Sequence, residues 1–341
     1  MEKKILQGIT IALGLITLFV CVGLYYLPSL KEQWILEAQI REAALKEFVI
    51  EIEETEVEKL YIEIPKNVDG KEITITNDYV TQTIFIRFEN GVDDYSKYYS
   101  VYGSSNHIAG MSYYKEGEEG ILAIHMDRLY EMSYLYESGK LCISFIDPHD
   151  LYDKIIVIDA GHGGKMTGAV KRGVEEKRLN LEIVKQIKAI FDEVDEKQIK
   201  VYYTRLDDTN PSLMERVNMA NKVDADLFIS IHNNASASGW FTSEKGTMVL
   251  YNPLDTNVKS SKLFAQFCVE QVSASTGSKN RGLVDGEYIY IVRSSQVPVA
   301  LIEVGYMTNY EELHNLGDLE YQKKIAEGVY NAVVQAFEEG F

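Results

Sequence analysis

Cysteine is scarce in this chain. Its 341 residues include three, Cys21, Cys142 and Cys268, set far apart, with Cys21 inside an apolar run. That spacing excludes both a disulfide framework and a cysteine-based metal site, and it leaves the redox compartment undecided. Positive charge is also short: 34 Lys and Arg stand against 52 Asp and Glu, a net charge of -18. Nucleic acid is thereby excluded as a partner, because a phosphate backbone is held by an excess of Lys and Arg. An acidic surface repels anionic polymers as well, so a partner of that kind has to be held by specific contacts. Length and apolar content are not short, and suffice for more than one domain with a large core.

A cleavage signal is missing too. Met1-Glu-Lys-Lys4 precedes an apolar stretch from Ile5 to about Leu27 without a charged residue, close to the ~20 residues needed to cross a bilayer. The stretch is longer than the apolar part of a cleaved signal, and no small-x-small site follows it. Val20 stands before Cys21 where lipid attachment wants a small residue. Lys3 and Lys4 favour a cytoplasmic amino terminus, which puts everything after Pro28 outside. The expectation is a transmembrane signal anchor at 1–28, with a cleaved signal peptide as the alternative. Between Ser29 and Phe48, Trp34, Ile35, Ala38, Ile40, Ala44, Leu45 and Phe48 recur with helical spacing among charged residues, which predicts an amphipathic stalk.

From Val49 to about Asp150 the period changes to two. Val57 to Pro65, Glu72 to Thr76 and Thr83 to Phe88 alternate, with further strands near Gly120 to His125 and Lys140 to Ile146. Short alternating strands predict a small antiparallel β-sandwich over 49–150. Tyr95, Tyr98, Tyr99, Tyr102, Tyr113 and Tyr114 fall in or near its loops, as platforms for sugar rings or as ordinary packing residues. His107, His125 and His149 have no partner at ligand spacing.

Over 151–341 strands and helices alternate. Strands are predicted at Lys154 to Asp159, Ile199 to Thr204, Leu227 to His232, Gly246 to Tyr251, Tyr288 to Val292 and Val299 to Val304. Helices are predicted at about Glu176 to Val194, Ser212 to Lys222, Val258 to Thr276 and Leu319 to Phe337. Ser212 and Glu215 form a capping box at the start of the second helix. The alternation predicts an α/β domain with a mostly parallel sheet flanked by helices.

Three polar residues fit poorly in that scheme. His162 sits in Gly161-His-Gly-Gly164 after a buried strand, His232 ends a second apolar strand, and Glu303 lies in a third. One such histidine is usually just hydrogen-bonded. An ionised carboxylate in an apolar strand costs several kcal/mol unless a cation or strong donors receive it. Ends of strands in one parallel sheet share an edge, so these side chains can converge. Either Glu175 or Glu176, in the first turn of a helix, can complement the helix dipole or complete a zinc site of two histidines and one carboxylate, the catalytic arrangement with an open position.

The pieces Ile158-Asp-Ala-Gly-His-Gly-Gly164, Gly173-Val-Glu-Glu-Lys-Arg-Leu-Asn-Leu181, Thr204-Arg205, Glu215-Arg216-Val217 with Ala220-Asn221, Ala225 to Asn234 and Leu301-Ile-Glu-Val-Gly-Tyr-Met-Thr-Asn309 occur in this order. Together they resemble the zinc-dependent N-acetylmuramoyl-L-alanine amidases of bacterial cell-wall turnover, over about Lys154 to Val334. The resemblance implies hydrolysis of the amide between N-acetylmuramic acid and the L-alanine of the stem peptide. It implies zinc held by His162, Glu176 and His232, and Glu303 as the catalytic acid and base. The doubled acid leaves a one-residue slip between Glu175 and Glu176. The sandwich resembles, in architecture only, the domains that precede the catalytic domain in many such amidases, and is a candidate wall-binding module.

On this reading peptidoglycan is the partner and the enzyme works on the extracytoplasmic side of a bacterial membrane. Asp159 is a candidate to orient a ligand from behind, or to satisfy turn amides. Asn233, Asn234 and Arg293 are candidates to meet the glycan or peptide, a surface salt bridge being the alternative for Arg293. Arg205 and Arg216 are assigned structural places. Trp240 and Phe241 lie on a flexible rim. Some relatives carry a helix that blocks the zinc; the loops here are too short for one, so any regulation comes from the sandwich, the stalk or a protein partner. A peptidase acting on stem peptides and an inactive wall-binding scaffold are the competing readings.

Overall fold

The computed structural model describes residues 59–341, except 67, 69–72, 90, 104–105, 195–198 and 257–259. The expected anchor at 1–28 and stalk at 29–48 lie outside the described residues. Among the described residues no helix is long and apolar enough to cross a membrane.

Residues 59–146 form two four-stranded sheets in which every neighbouring pair is antiparallel. One runs Val101–Gly103, Lys59–Glu63, Lys140–Ile146, Glu131–Glu137. The other runs Ile73–Asp78, Thr83–Phe88, Glu119–Met126, Ile108–Glu116. Their inward residues alternate along the strands as a half-buried sheet requires. Ile62, Leu141 and Ile143 of the first sheet join Ile84, Ile86 and Ile124 of the second in one apolar cluster. Tyr95 and Tyr113 pack against each other and donate their hydroxyls to the Glu63 and Val92 carbonyls, whereas Tyr98, Tyr102 and Tyr114 are exposed. The strands Ile108–Glu116 and Glu131–Glu137 escape a sequence reading because each is an edge strand with few buried residues and weak alternation.

The rest is a six-stranded mixed sheet with helices on both faces. Its strands are β1 (Lys154–Ala160), β2 (Ile199–Tyr203), β3 (Leu227–Asn234), β4 (Thr247–Tyr251), β5 (Asn280–Asp285) and β6 (Val299–Tyr306), in the spatial order β2-β1-β3-β6-β4-β5. All neighbours are parallel except β4 against β6. The helices are α1 (Glu176–Glu193), α2 (Leu213–Lys222), α3 (Ser261–Thr276), α4 (Tyr290–Ser294), α5 (Tyr310–Leu316) and α6 (Leu319–Glu338). Ser212 and Glu215 do form the capping box that starts α2.

Two expectations need correction. Tyr288 to Val292 is not a strand; its residues from Tyr290 on form α4, whose Ile291 and Val292 point into the core. The outer strand is instead β5, with a polar, half-exposed sequence that hid it.

The sheet has two apolar faces. Ile156, Ile158, Ile229, Ile231, Ile302 and Val304 pack under α1, α3 and α6. Ile155, Val157, Phe228, Val299 and Leu301 pack with Val217 of α2 and Ile291 of α4. Because strand side chains alternate, Asp159, Ser230, His232 and Glu303 continue the second face toward the carboxyl ends of their strands. Residues 59–146 are fastened to this domain through Glu131 and Arg128. Glu131 accepts from Tyr79 at 2.6 Å and from Tyr202 at 2.7 Å and pairs with Lys200 at 2.8 Å. Arg128 donates to the carbonyl of Lys222, at the end of α2.

Candidate active site

Three strand ends and one helix start meet at the carboxyl edge of the sheet, where open α/β sheets place their ligand sites. β3 and β6 lie side by side with His232 directly opposite Glu303 in the register. Two residues beyond the end of β1, His162 adopts φ +63°, a left-handed backbone that a non-glycine residue takes up at a cost of order 1 kcal/mol or more. Glu176 opens α1.

The ligand atoms of His162, Glu176 and His232 all lie within 4.8 Å of one another. Glu176 Oε1 is 3.1 Å from His162 Nε2 and 3.0 Å from His232 Nδ1. Its other oxygen accepts from the Ala169 amide at 2.8 Å. Burial pushes the Glu176 carboxyl up, but hydrogen bonds and charge from the two imidazoles outweigh it and hold the group well below the usual carboxylate range. At His232 burial works against the charged ring and Glu176 works for it; the balance lies above the usual histidine value. Glu175 is turned away, half-exposed, with its carboxylate 3.6 Å from Lys177. Of the two acids, the structure brings Glu176 and not Glu175 beside the histidines.

The residues fit a divalent cation. Two imidazole nitrogens and one carboxylate oxygen are a zinc-type donor set, and three protein ligands leave the fourth position that catalytic sites keep open. Glu303 sits beside them with Oε2 buried and without a hydrogen-bond partner among the described residues. A buried carboxylate oxygen without a donor is costly and calls for a cation or a proton. Burial raises the Glu303 carboxyl to about 7, with His232 pulling it down and Glu176 pushing it up.

Two glycines leave room for this arrangement. A Cβ on Gly161 would lie 2.2 Å from His232 Nε2. At Gly168, where φ is +65°, a Cβ would lie 2.4 Å from Glu176 Oε2 and 2.7 Å from His162 Cδ2. Gly168→Ala is therefore expected to move both ligands. The backbone penalty costs about 1 kcal/mol in stability, while metal affinity falls by roughly tenfold or more. Titration against a competing chelator, beside a thermal melt, checks this; unchanged affinity would show that the pocket yields freely.

Asp159 reaches neither imidazole. Its carboxylate is fully buried and accepts from Thr204 Oγ1 at 2.5 Å, Ser230 Oγ at 2.6 Å and Arg216 Nη1 at 2.6 Å. Its influence on His162 runs through Arg216, which donates to the carbonyls of Ala160 and His162, each at 2.7 Å. Arg205 holds the carbonyls of Ala160 at 2.8 Å and Gly161 at 2.9 Å, and Lys177 holds that of Gly164 at 2.8 Å. The glycine-rich turn is thus gripped by three cations through its own carbonyls. Asn180, which the sequence reading left without a role, donates to Gly161 O at 3.0 Å and accepts from Asn233 at 2.7 Å. Its place four residues after Glu176, on the same helix face, is the signal that could have found it.

Asn233 is turned inward: its amide hydrogen bonds Glu176 Oε1 and its side chain bonds Asn180. Asn234 bonds Met248 and its own turn. Arg293 lies on α4. With His162, Glu176, His232 and Glu303, these three residues line a cavity of about 670 Å³. Phe241 stacks on Tyr310 with ring centres 3.8 Å apart and Arg172 beside them, while Trp240 is exposed. Between Asn234 and Thr247 no helix is present.

Residues 156–335 match the family model of N-acetylmuramoyl-L-alanine amidases. An uncharacterised Bacillus subtilis protein, YqiI, is 34% identical over 189 residues, covering 54% of this chain and 86% of that protein. The germination-specific N-acetylmuramoyl-L-alanine amidase of the same organism is 31% identical over 203 residues, covering 55% and 82%. The crystal structure of an N-acetylmuramoyl-L-alanine amidase from Clostridium difficile 630 superposes with a TM-score of 0.51 at 30% identity, covering 55% of this chain and 98% of that one.

Proposed function

Because the chain belongs to the N-acetylmuramoyl-L-alanine amidase family, we propose that it uses one zinc ion, held by His162, Glu176 and His232, to cut the amide between the lactyl group of N-acetylmuramic acid and the L-alanine of the peptidoglycan stem. The observation that carries this reading is the convergence of those three ligands with an unpartnered, buried Glu303 in one cavity. Zinc supplies Lewis acidity there, polarising the scissile carbonyl and acidifying water.

The remaining work falls to the chain. Glu303 Oε2, having no donor of its own, is free to take a proton from the attacking water and to return it to the departing L-alanine nitrogen. Without a cation the two imidazoles hold Glu176 ionised, and a bound cation would favour the same charged form. Arg205, Arg216, Lys177 and Asn180 fix the turn that carries His162, so the ligand geometry is set before substrate arrives.

Two further parts of the reading concern the rest of the chain. The shared core of the two antiparallel sheets supports a small β-sandwich module ahead of the catalytic domain. The apolar stretch Ile5 to Leu27 supports a single-pass anchor with the catalytic domain on the extracytoplasmic side, beside its polymer.

Digestion of purified sacculi tests the proposal. Stem peptides with a free L-alanine amine should appear, and should be lost with chelator and in His162→Ala, which should also lack metal by elemental analysis. Cuts within the peptide would make the protein a peptidase. No release by metal-loaded protein would leave a scaffold.

A further inference from the structure

Among the residues that line the cavity, Arg293 is the one permanent cation. It sits on α4, whose Ile291 and Val292 are buried in the core beneath it, so its backbone is fixed while its side chain is exposed. The guanidinium lies 5.4 Å from the Tyr290 ring centre, and among the described residues its one hydrogen bond is a long 3.4 Å contact to the Tyr288 carbonyl. No carboxylate pairs with it among the described residues. What sets it apart is its place: it is a cation without a carboxylate partner on the wall of the cavity that holds the candidate ligands. Arg205 and Arg216 are spent inside the fold, on backbone carbonyls and, for Arg216, also on Asp159, whereas Arg293 has donors left over on the cavity wall.

A guanidinium fork matches a carboxylate in shape and charge. On the amidase reading, the substrate has two limbs around the scissile bond. The only carboxyl of the muramic acid unit is consumed in that bond, so the sugar limb is neutral there. The peptide limb carries carboxylates. A cavity of about 670 Å³ is ~11 Å across if round, about three residues of extended peptide at ~3.5 Å each. The reach therefore covers the start of the stem and no more.

We infer that Arg293 binds the free α-carboxylate of the second stem residue, and so makes the enzyme select stems in which that group is a carboxylate over stems in which it is a carboxamide. The inference rests on the amidase reading for the identity of the limb, and its test separates the two.

Two soluble muropeptides, identical but for a carboxylate or a carboxamide at the second stem residue, are offered to the metal-loaded parent, to Arg293→Gln and to Arg293→Lys. The parent should favour the carboxylate form by about tenfold in kcat/KM, with the difference in KM. Arg293→Gln should bring the ratio near one, and Arg293→Lys should keep part of it. A parent without preference, or an undiminished preference in Arg293→Gln, overturns the inference and leaves the amidase reading standing. If neither muropeptide is cut, that reading fails. Calorimetric binding of the synthetic peptide L-alanyl-γ-D-glutamyl-L-lysine and its carboxamide counterpart then decides the inference. Tighter binding of the carboxylate peptide by the parent, lost in Arg293→Gln, supports it; equal binding by parent and variant sinks it.

Discussion

Glu303→Gln is expected to keep its metal and to lose turnover by about a thousandfold or more, the scale on which a positioned acid and base contributes. The substitution is nearly isosteric, and Glu303 contacts His232 across the register without being among the three clustered ligands. What the amide cannot do is take a proton. In the parent, Oε2 is buried without a donor, and burial lifts the carboxyl to about 7 before any cation acts on it. A bound divalent ion pulls the group back toward the ionised form. The sign follows: the base works when deprotonated, so parental kcat falls as pH drops through the Glu303 pKa, and the little activity left in the variant lacks that acid limb. Single-turnover rates on sacculi, with metal content measured on the same samples, check both halves. A variant within a few fold of the parent would remove Glu303 from the chemistry, and one that had lost its metal would make it a ligand.

The parts of this site that were legible in the sequence are those that violate a pattern. β1, β3 and β6 are buried on both faces and read as unbroken apolar runs. A histidine or glutamate at the end of such a run stands out. The parts that were not legible work through backbone atoms. Nothing in the sequence around Arg205, Arg216 or Lys177 announces that each ends on a carbonyl of the glycine-rich turn, since any surface helix or strand end carries such residues. Secondary structure failed for a related reason. Tyr288 to Val292 has the aromatic and β-branched residues of a strand, yet burying Ile291 and Val292 together against the sheet requires helical turning, and packing overrode propensity. Glu175 and Glu176 differ by one position, and only the fold shows that the first pairs with Lys177 while the second faces the imidazoles.

Arg216→Ala is expected to cost about 3–5 kcal/mol of stability, because it strands the fully buried Asp159 carboxylate. For a protein of this size that lowers the midpoint of thermal unfolding by roughly 10 °C. Burial alone would raise the Asp159 carboxyl, but the charge of Arg216 and the donors on Ser230 and Thr204 prevail and hold it below the usual range. A carboxyl depressed in the folded state stabilises at pH above its unfolded value and loses that contribution as pH falls through the folded one. The parent should therefore keep this part of its stability to unusually low pH. Asp159→Asn, by contrast, should be weaker at neutral pH and show a flatter acid limb. A buried ion pair can often be replaced by neutral groups at little cost, so the double variant Asp159→Asn, Arg216→Met separates two roles. If the pair matters only as two charges, the double variant should recover most of the stability and all of the metal affinity. The geometry says otherwise: with Arg216 gone, the His162 carbonyl loses its donor and that of Ala160 keeps only Arg205, so the left-handed backbone at His162 loses one of the cations that grip its turn. Stability should then return in part while metal affinity stays reduced by about tenfold or more, and full recovery of affinity would show that the turn holds its shape without the arginine.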